Sequence, residues 1–303
     1  SKMQYRCEAD GYRRSLDGRK RAELVSVKGF ELSTPLTQAC EVLVNNYNLE
    51  SMKGETSPLS ILKEVSFKTP WHSLEYVEIE PGCNLLFDTC SPSVERGYLV
   101  MEGRVGFGLD ENSCLSALEE DKSLDQPAYF IGPINSRHKV TNFGTDNAII
   151  LTVAVETSYT GTNSNLFSGK FDPGELKWRD AIHGGCGRIA TRHVLKPDIF
   201  LSTWTFLDHA ILGPESSVGY HYHDALEEIF IVLNGDGFVT VDDKTFSVGS
   251  GSLTWQGIGQ AHGIYNPGPE PLEFVRVAVA QLDEPYTTID LFDDLSTRVL
   301  GVE

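Results

Sequence analysis

The chain has 303 residues, of which 40% are hydrophobic, and 43 acidic against 25 basic side chains give it a formal net charge of −18. This length allows two compact domains. A surface this negative repels phosphate backbones, which argues against nucleic acid as a partner. The longest apolar run is far below the roughly 18 residues that cross a bilayer, so we expect no transmembrane helix and no membrane partner.

The first 64 residues are predicted to form a helical extension. Thr34-Pro35 and Ser57-Pro58 each place a capping hydroxyl before a proline, and apolar residues follow at helical spacing. The N-terminus lacks the apolar core segment of a secretory signal. The six cysteines are scattered without a Cys-x-x-Cys pair, which is typical of reduced thiols. A cytoplasmic location is therefore expected.

From residue 65 onward, short β-branched runs separated by turn residues predict a mainly β fold. The segment 95–103 parallels 227–235 at a shift of 132, and 136–142 parallels 260–266 at a shift of 124. Self-similarity of this kind indicates an internal duplication. The predicted organisation is a helical extension at 1–64, a first barrel at 65–156, a linker at 157–187, a second barrel at 188–282 and a helical tail at 283–303.

The segment 182–188, which precedes the second barrel, is glycine-rich. It lacks the Lys-Ser/Thr pair of a phosphate-binding loop. One interpretation is a turn at the domain entry. The other is that Arg188 or Arg192 reaches the barrel mouth and binds a substrate carboxylate, for which a guanidinium fork is suited.

The segment 219–266 contains the residue types of a metal site. His221 and His223 are two residues apart, so a β-strand directs both imidazoles to the same face. A glutamate pair at 227 and 228 follows, and His262 can approach from a neighbouring strand. Three imidazoles and one carboxylate suit Fe, Mn, Zn, Ni or Cu better than Ca or Mg.

These residues resemble the two motifs of the cupin superfamily. The first motif is matched from the first histidine onward, and its six-residue gap before Gly235 selects Glu228, with Glu227 as the other candidate. The second motif is matched except that Gly257 stands where the family has proline. The resemblance implies a bicupin, that is, two tandem double-stranded β-helix (jelly-roll) barrels in a mainly β protein with short N-terminal and C-terminal helices.

The first copy departs from the motif. At the shift of 132, Thr89 and Ser91 stand in place of the histidine pair and Arg96 in place of Glu228, whereas His138 is retained. The fixed positive charge of Arg96 opposes a cation. The first barrel is then either structural or an anion pocket around Arg96 and His138, and one divalent metal per chain is expected.

Several activities are compatible with such a site. The leading hypothesis is an Fe(II) oxygenase acting on a small oxygen-rich or carboxylate substrate. The alternative is a redox-neutral lyase, isomerase or hydrolase that uses Zn, Mn or Ni, with Tyr220 or Tyr265 as the catalytic proton donor. A non-enzymatic storage or sensor protein with a structural metal is the third. All three imply a small-molecule ligand, and a homodimer is compatible with each.

Overall fold

The computed structural model describes residues 24–25, 46–54, 58–62, 65–89, 93–110, 122–161, 165–282 and 285–299. Within these ranges the regular structure is almost entirely β. The first twelve strands are β1 (Leu24–Val25), β2 (Asn46–Asn48), β3 (Leu59–Ile61), β4 (Trp71–Ile79), β5 (Asn84–Asp88), β6 (Val94–Glu102), β7 (Arg104–Leu109), β8 (Lys122–Asp125), β9 (Ala128–Ile131), β10 (Arg137–Asn142), β11 (Ala148–Glu156) and β12 (Phe167–Lys170). The remaining strands are β13 (Lys177–Asp180), β14 (Arg188–Leu195), β15 (Trp204–Leu212), β16 (Ser216–His223), β17 (Leu226–Asn234), β18 (Gly237–Val241), β19 (Lys244–Val248), β20 (Ser252–Gln256), β21 (His262–Asn266), β22 (Leu272–Ala280) and β23 (Thr288–Asp290). Short 3₁₀ helices are Leu49–Met52, Pro173–Glu175 and Leu295–Arg298.

The chain divides into two compact units. The first barrel comprises Met52–Asp172 together with Lys196–Thr205. The second barrel comprises Ser1–Ser51, Pro173–Leu195 and Phe206–Glu303.

The first barrel consists of two antiparallel sheets. Their strand orders are β5-β10-β7-β8 and β12-β9-β6-β11-β4-β3. Tyr98, Phe107 and Phe130 are fully buried between them and anchor the apolar core. Burial of each such ring contributes roughly 1.5–3 kcal/mol, which makes this interior a packed core.

The second barrel also consists of two sheets, and each contains more strands than its counterpart in the first barrel. Their strand orders are β1-β19-β18-β21-β16-β23 and β13-β14-β15-β22-β17-β20-β2. Part of the interior is filled by an apolar core that includes Phe230, Phe246 and Phe274. A smaller apolar cluster around Phe206 and Tyr286 lies apart from that core.

The strand boundaries confirm the duplication. β6 and β17 each have nine residues and start 132 positions apart, and β11 and β22 each have nine residues and start 124 positions apart. Each central strand also has equivalent neighbours, since β6 pairs with β11 as β17 pairs with β22. The mainly β, tandem-barrel architecture expected from the sequence is therefore observed.

Several predicted elements differ from the structure. Leu59–Ile61, predicted as a helix after Ser57-Pro58, is a strand because it pairs with the edge of β4. The helix predicted from Thr34 falls mostly on residues outside the described ranges, although Tyr47 at its end lies in β2. In the predicted tail helix the chain forms β23 and one 3₁₀ turn. Pairing partners distant in sequence override local helix propensity at these places.

The predicted linker 157–187 contains two strands. β12 pairs with β9 of the first barrel, and β13 pairs with β14 of the second. The segment is therefore shared between the two units. Among the described residues, no helix is long and apolar enough to cross a membrane.

Candidate metal centre

Three strands of the second barrel bring four polar side chains together. β16 carries His221 and His223, β17 carries Glu228, and β21 carries His262. One ligand atom from each lies within 4.8 Å of the others, and all four residues are buried. Among the residues that the structure describes, no other group of three or more histidine, cysteine or acidic side chains is arranged in this way.

Strand pairing and strand alternation explain the convergence. His221 lies directly opposite His262 in the β16–β21 ladder. His223 is on the same face two residues later, and its Nε2 is 3.2 Å from Oε2 of Glu228. Nε2 of His262 is 3.3 Å from the same oxygen. Because adjacent residues of a strand face opposite sides, Glu228 and not Glu227 reaches the cluster.

Backbone carbonyls set the protonation of two imidazoles. Nδ1 of His221 donates to the carbonyl of Gly219 at 2.7 Å, and Nδ1 of His262 donates to the carbonyl of Gln260 at 2.9 Å. Since a carbonyl only accepts, each ring presents an unprotonated Nε2 to the cluster. Hydrogen bonds of this kind commonly orient metal-binding histidines.

A buried arginine compensates the carboxylate. Nε of Arg276 donates to Oε1 of Glu228 at 2.5 Å, and its Nη1 lies 3.7 Å from Oδ2 of Asp208. Burial alone would raise the pKa of Glu228, but the guanidinium of Arg276 holds it well below its usual value. Glu228 is therefore ionised, as a metal ligand must be.

Burial keeps His221 and His223 neutral. It lowers the pKa of His223 to about 4, against a smaller opposing effect of Glu228. It also lowers the pKa of His221 well below the ordinary value, with a further contribution from the neighbouring imidazoles. Neutral imidazoles have the lone pair that a metal requires.

The donor set fits a divalent metal ion. Nε2 of His221 is buried and has no hydrogen-bond partner. An unsatisfied buried acceptor costs roughly 1–3 kcal/mol, so it calls for a partner that the protein does not supply. A cation at the centre of the cluster would fill that role.

Comparison with known proteins agrees with this geometry. The protein-family model of the cupin domain matches residues 209–278 of the sequence. A curated protein of Thermotoga maritima named oxalate-binding protein is 30% identical over 119 residues, which are 39% of this chain and 96% of that protein. The chain belongs to the cupin superfamily.

Solved cupin structures resemble the tandem fold. A putative glyoxylate-induced protein of Pseudomonas aeruginosa superposes with a TM-score of 0.58 at 14% identity, over 77% of this chain and 87% of the other. A mutant oxalate decarboxylase of Bacillus subtilis gives 0.52 at 11% identity, over 82% and 79%. At these identities the likeness concerns the fold alone.

The two tyrosines predicted as proton donors do not face the cluster of candidate metal ligands. The hydroxyl of Tyr220 donates to the carbonyl of Asp242, and Arg298 covers its ring at 4.5 Å from the centroid. Tyr265 is three residues after His262 on β21, so alternation turns it outward, next to Phe238 of β18. Tyr220 immediately precedes His221 on β16, so strand alternation turns it to the face opposite the two histidines.

The predicted substrate arginines also lie elsewhere. The exposed Arg188 packs over Trp178 at 5.7 Å, and Arg192 forms an ion pair with Glu175. Both belong to β14, where the intervening Ile189 is the residue that enters the core. Their side chains therefore point away from the interior.

The arginine of the site is Arg276, which the sequence analysis did not single out. A charged residue inside the apolar run of β22 was a usable signal, because a buried arginine needs a carboxylate partner. Tyr286 was missed as well. Its ring lies 6.0 Å from that of His223 and nearly perpendicular to it, with interplanar angle 86°.

In the first cupin barrel the corresponding position is filled. His138 lies opposite Phe87, as His262 lies opposite His221, so Phe87 and not Thr89 occupies the place of the first histidine. The constant shift of 132 fails here because the loop before β6 is longer. Ser91, predicted at the place of the second histidine, lies outside the described residues.

His138 and Arg96, the polar side chains at that position, have hydrogen-bond partners within the protein. His138 Nε2 donates to the carbonyl of Pro133 at 2.7 Å, so its Nδ1 accepts from Tyr98 at 2.8 Å. Nη1 of Arg96 donates to Glu75 at 2.8 Å and to Thr152 at 3.0 Å. Burial lowers the pKa of His138 to about 4, so it is neutral. These contacts support a structural role over an anion pocket shared by Arg96 and His138.

Proposed function

We propose that the second cupin barrel holds one divalent transition-metal ion through His221, His223, Glu228 and His262. The observation that carries the proposal is the convergence of four buried ligand atoms, one of which lacks a protein partner. Three imidazoles and a carboxylate suit Mn, Fe, Ni or Zn. Elemental analysis of the purified protein determines which of these metals is bound.

The ligand we propose is a small carboxylate such as oxalate. Support comes from the curated oxalate-binding protein that the chain resembles at 30% identity. A bound divalent ion would polarise a carboxylate or carbonyl oxygen of such an acid. The apolar cluster of Phe206, Ala225, Leu226, Ala278, Ala280 and Tyr286 includes the residue directly opposite Glu228, Ala278. The apolar side chains of this cluster would exclude bulk water from the site. Small residues such as Ala278 would leave room for a compact ligand.

The charges define the role of the carboxylate. Arg276 keeps Glu228 ionised, so this carboxylate serves as ligand and not as a proton donor. We propose metal-dependent binding of the acid, with redox-neutral conversion as an accompanying activity that the dioxygen dependence of turnover tests. The Fe(II) oxygenase stays a prediction from the sequence, as do the cytoplasmic location and the homodimer.

Titration calorimetry with oxalate tests this function. Protein loaded with Mn(II) should bind about one oxalate per chain, whereas chelator-treated protein should not. Release of formate and carbon dioxide is then followed with and without dioxygen. Equal oxalate binding by the loaded and metal-free proteins would exclude the metal-dependent site, and turnover that consumes dioxygen stoichiometrically would restore the oxygenase hypothesis.

A further inference from the structure

The C-terminal part of the chain returns to the metal cluster as an added strand. β23 pairs antiparallel with β16, so that Asp290 lies opposite His221 and Thr288 lies opposite His223. Residues directly opposite in a ladder share a face. Thr288 and Asp290 therefore face the cluster side, whereas Ile289, opposite Tyr222, faces away. We call residues 286–291 the tail strap.

Thr288 contacts one ligand candidate directly. Its Oγ1 lies 3.0 Å from Nδ1 of His223, the ring nitrogen that does not face Glu228. The opposite nitrogen, Nε2, is the one directed at the cluster. The hydroxyl thus restricts rotation of the ring about its side-chain bonds and holds Nε2 in place.

Asp290 acts on the other member of the pair through His183. Its Oδ1 lies 3.0 Å from Nδ1 of His183. The His183 ring stacks on His221 with centroids 4.1 Å apart and planes inclined by 21°. The loop carrying His183 can approach because residue 219 is glycine, where a Cβ would overlap the carbonyl oxygen of His183.

The strap is held at both ends by bonds independent of the cluster. The Asp224 carboxylate accepts from the amide and the hydroxyl of Thr287, both at 2.6 Å. After the strand, the amide of Leu291 donates to the carbonyl of Tyr220 at 2.8 Å. A conservative change at a cluster-facing position should therefore leave the strap docked.

We propose that the tail strap is the outer support of the metal centre, with Thr288 and Asp290 as positioning residues for His223 and His221. This inference rests on the proposed metal site and deepens it. Neither residue supplies a ligand atom in the cluster. Their loss should weaken metal affinity while all four ligands remain, since outer partners of ligating histidines typically contribute about 10–100-fold in affinity.

The test measures Mn(II) affinity by competition with a chelator in the full-length protein. Thr288→Val keeps the shape of the side chain and removes the hydroxyl, and we expect a loss of about 10–100-fold. Thr288→Ser restores the hydroxyl and should return most of the affinity. Ile289→Thr, on the opposite face of the same strand, is the matched control and should not change it.

Asp290→Asn provides a second, independent variant. It weakens the tie to His183, and the Mn(II) electron paramagnetic resonance spectrum should broaden as His221 gains freedom. Unchanged affinity in both Thr288→Val and Asp290→Asn, with Mn(II) bound normally by the wild type, overturns the inference about the strap. A wild type that binds no transition metal overturns the proposed function itself.

Discussion

The two barrels have equivalent strands but differ at one interior position. In the second barrel, β16, β17 and β21 direct three imidazoles and a carboxylate at one point. In the first, the matching strands place Phe87, Arg96 and His138 there, with the guanidinium 5.4 Å from the Phe87 ring and paired to Glu75. A few substitutions on a retained framework thus turn a potential ligand set into a packed core.

The retained histidine shows how this happens. In the second barrel Phe230 packs against His262, whose Nδ1 bonds to a backbone carbonyl and leaves Nε2 for the cluster. In the first barrel Tyr98 stands at the position of Phe230, and its hydroxyl donates a hydrogen bond to Nδ1 of His138. Nε2 of His138 donates to the carbonyl of Pro133. Both nitrogens of His138 are thereby satisfied within the protein.

The sheet edge beside the histidine pair also differs. β16 is flanked by β21 and β23. Its counterpart β5 pairs with β10 and ends its sheet in the part of the chain that the structure describes. Outer support of the histidines accompanies the cluster and is not seen at the filled position.

The largest expected effect is on metal content. His221→Ala should reduce the metal bound per chain from about one ion to none, because losing a ligand costs more than the roughly 10–100-fold of an outer partner. His138→Ala should leave the metal content unchanged. Elemental analysis after reconstitution measures both, and equal loss in the two variants would contradict the assignment of the first barrel as metal-free.

Most of this contrast is predictable from the sequence, because the ligand spacing and the duplication are local patterns. The side chains around the ligands are not equally predictable. Tyr220 adjoins His221 in the sequence, yet strand alternation turns it outward. Thr288 and Asp290 reach the cluster through the pairing of β23 with β16, and no local pattern near residue 288 encodes that long-range pairing. Arg276 could have been identified from the sequence, because it is a charged residue within an apolar run.

The second prediction concerns the arginine that pairs with a carboxylate in each barrel, Arg276 in the second and Arg96 in the first. Arg276→Met leaves the buried Glu228 carboxyl without its guanidinium partner, so metal-free protein should lose about 3–5 kcal/mol of unfolding free energy. Metal loading should offset much of this loss, because the cation replaces the missing positive charge. Denaturant unfolding with and without Mn(II) measures both values.

Arg96→Met is the matched control in the first barrel. Its partner Glu75 has a side chain 23% exposed, so water can solvate the carboxylate and the loss should be smaller. Metal should not alter that loss. A metal-dependent rescue of Arg96→Met would show that the first barrel also binds a cation.

The third prediction uses the pH dependence of the first barrel. His138 is buried and its folded-state pKa of about 4 lies below the ordinary 6.5. Folding therefore favours its neutral form, and this contribution is complete above the unfolded-state pKa and is lost as the pH falls from about 6.5 to about 4. The shift corresponds to about 3 kcal/mol of unfolding free energy.

His138→Gln removes this titrating group and is compared with the wild type, both loaded with the same metal. The difference in unfolding free energy between the two proteins should shrink by about 3 kcal/mol over that pH range. Parallel pH profiles would mean that His138 is not buried and neutral as the structure has it.

The smallest expected effect is at the tyrosines that the sequence placed in the reaction. Tyr220→Phe removes a hydroxyl that donates to the Asp242 carbonyl on the outer side of β16. Burial raises the pKa of Tyr220 to about 12, so it is a poor proton donor at neutral pH in any case. We expect a loss of about 1 kcal/mol in unfolding free energy and unchanged affinity for metal and oxalate.

Tyr286→Phe is the informative partner variant, because its ring lies against His223 within the apolar cluster beside the site. Oxalate affinity that falls in Tyr220→Phe but not in Tyr286→Phe would reverse this assignment and return the outward-facing tyrosine to the mechanism.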